Sequence, residues 1–336
     1  MDYSLTALLR GWRLQALLWS VLLSALGYGA FSLWSGYGEV LSSLGRIGWL
    51  ALLQALALVL LGYALRTWRW HIYLAAQGHR LPWRLHSRIY LAGFALTTTP
   101  GKAGEMLRSL LLAPYQVPYP QSVAAFVAER LADGVAMALL TLPWLWLYMP
   151  AYSLPLLLAV ALLLYASSRV PSLRLWLENR RLYWHHYWQQ QRPQQALRWQ
   201  AWLAHLRLFR PLLAPRRLLS TTVLSLLAWS LEALALLLLL GALPQAIGIR
   251  QGFFSYAASM LLGALSFLPG GLGGTEASMV ALLTAFELGL ADATAVTLVF
   301  RLLTLWLSVA LGLLALLWHQ LSNANKPPRQ LASNAD

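Results

Sequence analysis

The chain has 336 residues, 59% of them hydrophobic and only 11% charged, where soluble domains carry about 25% charged residues. So little polar surface cannot cover a soluble core, and no polar segment is long enough to form a catalytic domain. Basic residues outnumber acidic ones 25 to 11, but they collect between hydrophobic runs, which reads as the positive-inside bias of cytoplasmic loops and not as nucleic-acid binding.

The predicted class is therefore all-α: a polytopic helical membrane protein. Cysteine is absent, which removes disulfides and thiolate chemistry. All but two of the cations are arginines, the exceptions being Lys102 and Lys326.

In chain order, residues 1–46 hold a first span, Leu14 to Trp34, and a loop. That apolar run covers about 31 Å as a helix, matching a bilayer core of roughly 30 Å. It is longer than the apolar region of a signal peptide and is expected to be retained. A first membrane repeat occupies 47–168. It opens with a span from Ile47 to Leu65, which ends in an aromatic and cationic interface belt, Arg66 to His71. Within 89–113 an apolar run too short to span is broken by Pro100, Gly101, Lys102, Ala103, Gly104 and Glu105, then resumes. A proline and two glycines in five positions cannot continue a helix, so this segment reads as a re-entrant hairpin. Spans follow at Gln121–Met149 and Ser153–Ser168.

Residues 169–217 form a basic, aromatic segment with ten arginines and five tryptophans, a composition suited to the headgroup region. His185 and His186 lack a third ligand at metal-binding spacing, so no metal or other cofactor is expected. The second repeat, 218–318, holds a span at Leu218–Leu240, a second re-entrant hairpin within 253–288 and a last span from Ala293 to Trp318. The tip of this hairpin is Pro269, Gly270, Gly271, Leu272, Gly273, Gly274, Thr275 and Glu276. It is no nucleotide loop, because it lacks the Lys-Ser/Thr ending and follows a membrane helix. Residues 319–336 are a polar tail expected to be disordered.

The two interruptions share one design. Each has Pro-Gly, further glycine, a glutamate opening the next half-helix, and an arginine 25 residues later: Glu105 to Arg130, and Glu276 to Arg301. With a cytoplasmic N-terminus, counting the crossings brings the basic segment and the C-terminus to the cytoplasmic side. It also makes the two hairpins enter from opposite sides. Inverted repeats with broken helices are a transporter arrangement.

Glu129, Arg130 and Asp133 fall in the middle of a predicted span, where an unpaired charge costs about 2.5–3.5 kcal/mol. They must face protein or water, either as an ion-pair cluster holding helices together or as a polar lining for a headgroup path. Glu105 and Glu276 can cap half-helix N-termini, or line a cavity between the tips. Lys102 and Arg108 beside Glu105 supply positive charge for a phosphate, with Thr275 in the corresponding second tip. The substrate-binding set is thus Lys102, Glu105, Arg108, Glu129, Arg130, Asp133, Thr275, Glu276 and Arg301. Glu232, Glu287 and Asp292 are weaker candidates, the last two interfacial.

The stretches Phe94 to Arg108, Ala128 to Asp133, and Leu268 to Glu276 with Arg301 resemble the lysylphosphatidylglycerol synthase transmembrane (flippase-like) family, over roughly Ile47 to Leu317. The resemblance implies a membrane region that moves lipids between leaflets, such as aminoacylated phosphatidylglycerol or glycan-carrier lipids. Full-length synthases add a soluble aminoacyl-transferase domain, for which this chain is expected to have no room.

The leading functional expectation is a lipid translocase of the plasma (inner) membrane, not an enzyme. Its partners are membrane lipids, a phospholipid or a polyprenyl-phosphate carrier. Arginines would take the phosphate, and carboxylates an amino or sugar group. The alternatives are a non-transporting partner of an envelope or glycosyltransferase assembly, and a membrane-embedded lipid-modifying enzyme. The topology is testable without native background, because the chain has no cysteine. Single cysteines at Ala103 and Leu272 are expected to react with impermeant reagents from opposite sides of the membrane, and labelling of both from one side rules the inversion out.

Overall fold

A computed structural model describes residues 37–99, 104–162, 208–245, 247–266 and 268–324. The expected first span, tip residues Pro100, Gly101 and Lys102, the end of the Ser153–Ser168 span, most of the basic segment and nearly all of the tail lie outside the described residues.

Among the described residues every regular element is helical. The order is α1 (Tyr37–Arg46), α2 (Trp49–Ala76), α3 (Trp83–Gly93) with a 3-10 turn at Phe94–Leu96, α4 (Leu107–Leu112) and α5 (Tyr119–Tyr148). Then come α6 (Pro150–Leu162), α7 (Pro215–Leu240), α8 (Ile249–Leu265), α9 (Gly274–Ala285), α10 (Leu290–Arg301) and α11 (Leu307–Ala324), with a π-helical turn at Leu302–Trp306 between the last two.

Among the described residues, three stretches are long and apolar enough to cross a membrane: α2, α7, and the continuous Leu290–Ser322. With 30 residues α5 is as long, but it carries Glu129, Arg130 and Asp133. Helix α7 shows how these segments are oriented. Leu219, Val223, Leu227 and Leu234 face outward, while Thr221, Ser225, Trp229 and Glu232 are buried. A helix in water shows the reverse pattern; in lipid, polar side chains turn to the protein interior.

Two expectations are corrected. The belt Arg66–His71 does not end a span at Leu65. Helix α2 runs on to Ala76, and Arg66 and Arg69 are buried at 8% and 0% exposure. Carboxylates from other helices meet them there, so they have no need to reach the interface. The stretch before Ile47, expected as a loop, contains α1. It buries Val40 and Ser43, with Ile47 on the same helical spacing, and joins α10 through an Arg46–Asp292 ion pair of 2.9 Å.

Helices α2 and α7 pack along each other and run antiparallel. Arg66 meets Trp229 and Glu232, whereas Arg69 meets Ser225. Helices α8 and α9 form a hairpin: Phe254 and Phe286 pack at its open end with ring centroids 6.2 Å apart, and Gly270, Gly271 and Gly273 turn at the tip with positive φ of 62°, 69° and 82°. Only glycine adopts that run without strain. At 17 residues, α8 reaches about 25 Å, less than a full crossing. The arms of the first hairpin close where the Gly104 amide donates to Thr99 Oγ1 at 2.6 Å. The two tips touch: a β-carbon on Gly270 would lie 3.2 Å from Thr98 Cα.

Helix α11 seals the first hairpin. A β-carbon at Gly312 would fall 2.2 Å from the Ala95 nitrogen and 2.6 Å from the Phe94 carbonyl carbon. Small residues are what allow membrane helices to approach so closely. Gly312→Ala is expected to destabilise the folded protein by about 1–3 kcal/mol, the range for overpacking. Leu314→Ala, on the exposed face, should leave the detergent melting curve unchanged, and equal melting of the two variants would contradict this packing.

Candidate functional site

Helix α5 supplies the centre of the site. Its Glu129 and Asp133 lie one turn apart, and Arg69 of α2 fits between them, 2.7 Å from Glu129 Oε1 and bonded to Asp133 Oδ1. Arg69 also donates to Ser225 of α7. Tyr90 donates to Glu129 Oε1 at 2.8 Å, and the Trp229 indole N–H donates to Asp133 Oδ1 at 2.9 Å. Arg108 bridges Glu105 and Glu129, at 3.2 and 2.8 Å, with its guanidinium over the Trp70 and Tyr90 rings. Nearby, Arg66 pairs with Glu232 at 2.6 Å and stacks 4.1 Å over Trp229, while Tyr256 donates to the other Glu232 oxygen at 3.0 Å. Ions buried this deeply are tolerable only with such partners, because desolvation otherwise exceeds the Coulombic gain.

The second tip holds a smaller set. Glu276 Oε2 accepts the Gly273 amide at 2.7 Å, capping α9, and its Oε1 accepts Arg301 Nε at 2.5 Å. Arg301 also donates to the Gly270 carbonyl at 3.0 Å, which ties the tip to α10. In the first tip Glu105 accepts the Thr97 hydroxyl at 2.8 Å and lies 3.5 Å from Arg130. Both glutamates therefore meet the arginine 25 residues on, tightly in the second unit and loosely in the first. Just beyond Arg301 the chain makes a π-helical turn, and its Thr304 carbonyl accepts the Tyr63 hydroxyl at 2.5 Å.

Between the tips lies a cavity of about 280 Å³, lined by residues from both hairpin regions. Of the residues expected to bind substrate, Glu105, Arg130, Asp133, Thr275 and Arg301 line it, with Gly270 and Gly271 of the second tip. Glu129, Arg108 and Glu276 stand behind the wall as partners of the lining groups. Gly104, Gly273 and Gly274 shape the hairpins without lining the cavity, and Pro269 opens the second tip. Lys102 lies outside the described residues. Arg130 is the most open of the paired cluster arginines, with 27% of its side chain exposed. It comes within 3.2–3.5 Å of Glu105, Glu129 and Asp133 yet makes no hydrogen bond to the described residues.

Sequence reasoning missed Arg66, Arg69, Tyr63, Tyr90 and Trp229. The available signal was periodicity: Gly62, Tyr63, Arg66, Arg69, Trp70 and Tyr73 share one buried face of α2, with Trp68 exposed. His86, in the short helix α3, packs between His71 and Trp83 and contacts the Thr67 carbonyl at 3.1 Å. Burial pushes it down to about 4, so it adds no positive charge beside Arg108.

Comparison with known proteins agrees with this architecture. A UPF0104 membrane protein of Methanothermobacter thermautotrophicus is 36% identical over 90 residues, a match spanning 27% of this chain and 27% of that protein. Residues 5–312 match the family described as lysylphosphatidylglycerol synthase TM region. With its polar cavity enclosed by apolar-faced helices, the chain is a membrane protein of the lysylphosphatidylglycerol synthase TM region family.

Proposed function

We propose that the protein is a lipid translocase, carrying a phosphate-containing lipid between leaflets without changing it chemically. The observation that carries this reading is the guanidinium of Arg130, held at a cavity between two hairpin tips and not committed to a hydrogen bond with the described residues. Arginine matches phosphate oxygens in paired geometry, and a polar chamber inside apolar-faced helices is where a headgroup can travel. The antiparallel run of α2 against α7, the first spans of the two units, supports an inverted arrangement with tips entering from opposite sides. The family's description supports a lipid-related role. Residence in the plasma (inner) membrane, with both termini cytoplasmic, completes the proposal.

Two substitutions separate transport from folding. In proteoliposomes the native protein should expose labelled phospholipid to an external quencher, and Arg130→Ala should slow this severely while melting near the native temperature. Arg69→Met strands Glu129 and Asp133 and is expected to cost about 3–5 kcal/mol of stability. Equal exposure rates for empty vesicles, native protein and Arg130→Ala would defeat the translocase reading in favour of a non-transporting partner protein.

A further inference from the structure

We infer that the cavity recognises its lipid through hydrogen-bond acceptors alone, binding the phosphate oxyanion and remaining indifferent to an amine further along the headgroup. This rests on the translocase reading and narrows its substrate. A lining of arginines and carboxylates looks suited to both ends of a zwitterion, but the hydrogen bonds are unevenly used.

Every carboxylate that lines the cavity has both oxygens engaged. Glu105 accepts from Thr97 at 2.8 Å and Arg108 at 3.2 Å. Asp133 accepts from Trp229 at 2.9 Å on one oxygen and from Arg69 at 3.3 Å on the other. Glu232 accepts from Arg66 at 2.6 Å and Tyr256 at 3.0 Å.

The unpartnered groups on residues of the cavity wall are donors. Arg66 Nε and Arg130 Nε are buried and have no partner among the described residues. Arg66 cannot swing away to find one, because Glu232 holds its far edge and Trp229 its face, and its side chain is only 10% exposed. Buried donors without acceptors are unfavourable, and the group that satisfies both carries acceptors only. The non-bridging oxygens of a phosphodiester do so. An ammonium offers nothing but donors, and would have to share carboxylate oxygens that already accept from arginine, threonine, tryptophan and tyrosine. Size is compatible with this: about 280 Å³ is at the bottom of the range for small-molecule sites.

The test is a binding series on the full-length protein in detergent, with four probes: short-chain phosphatidylglycerol, its lysyl ester, a double-chain quaternary ammonium lipid without phosphate, and inorganic phosphate. The expected result is that phosphatidylglycerol and its lysyl ester bind within about threefold of each other and the ammonium lipid does not bind. Inorganic phosphate should bind at least about tenfold more weakly than either phospholipid, since it lacks the chains. Arg66→Lys keeps the charge but lacks the guanidinium N–H, and should weaken both phospholipids by about tenfold with their ratio unchanged.

A lysyl ester bound more than about tenfold tighter than phosphatidylglycerol, or a bound ammonium lipid, would mean that the carboxylates read the amine. The inference then falls while lipid translocation stands. Inorganic phosphate bound as tightly as the lipids would assign the site to a soluble ion and overturn the inference. Failure of both phospholipids to bind would end this inference and the translocase reading together.

Discussion

A guanidinium that cannot reach water organises this molecule. Arg69 is fully enclosed, and an ion in that position is stable only if carboxylates are delivered to it from other helices. Glu129 and Asp133 come from α5, 60 and 64 residues along the chain, and a serine hydroxyl comes from α7. Three helices must meet at one point, in one rotational setting, for that charge to be borne. The geometry of the cavity follows from it. Asp133, held by Arg69 and Trp229, forms one wall, and Arg130 on the next position of α5 from Glu129 is turned toward the chamber. In lipid there is no hydrophobic gain in pressing apolar helices together, so a buried ion network of this kind also decides which faces pair.

The two units use this device unequally. Aligned on their Glu–Arg pairs, the first unit has Arg69, Arg108 and Glu129 where the second has Leu240, Met279 and Phe300. All three counterparts are apolar, and Leu240, Met279 and Phe300 are buried in the hydrophobic core. Only the glutamate at the half-helix and its arginine are common to both. At these positions the stretch around the first hairpin carries buried charge where the stretch around the second carries apolar packing. The hydroxyl of Thr304, opposite Asp133 in that alignment, bonds back to the Phe300 carbonyl within its own helix.

Much of this was legible in the residues and some was not. Pro-Gly interruptions in short apolar runs announced the hairpins, because no helix passes through Pro269-Gly-Gly and no membrane segment leaves backbone groups exposed to lipid. The repeated 25-residue interval pointed to Glu105 with Arg130 and to Glu276 with Arg301, since a short half-helix, a connection and the start of a long helix return the chain to the same level. Arg66 and Arg69 were illegible for a compositional reason. Arginine and tryptophan at the end of an apolar run are what an interface belt looks like, and the partner that reclassifies Arg66 is Glu232, 166 residues away. The π-helical turn after Arg301 has no residue signature at all, and its Thr304 carbonyl accepts from Tyr63 of a helix 241 residues away in sequence.

That separation between Arg66 and Glu232 bears on how the protein is made. Synthesis runs from the N-terminus, so α2 enters the bilayer while α7 is still unwritten. Arg69 finds its carboxylates once α5 has followed, but Arg66 waits through the whole basic segment for its counter-charge and for the indole of Trp229. Only with α7 in place is that end of α2 matched in charge, so the second half of the chain completes the first.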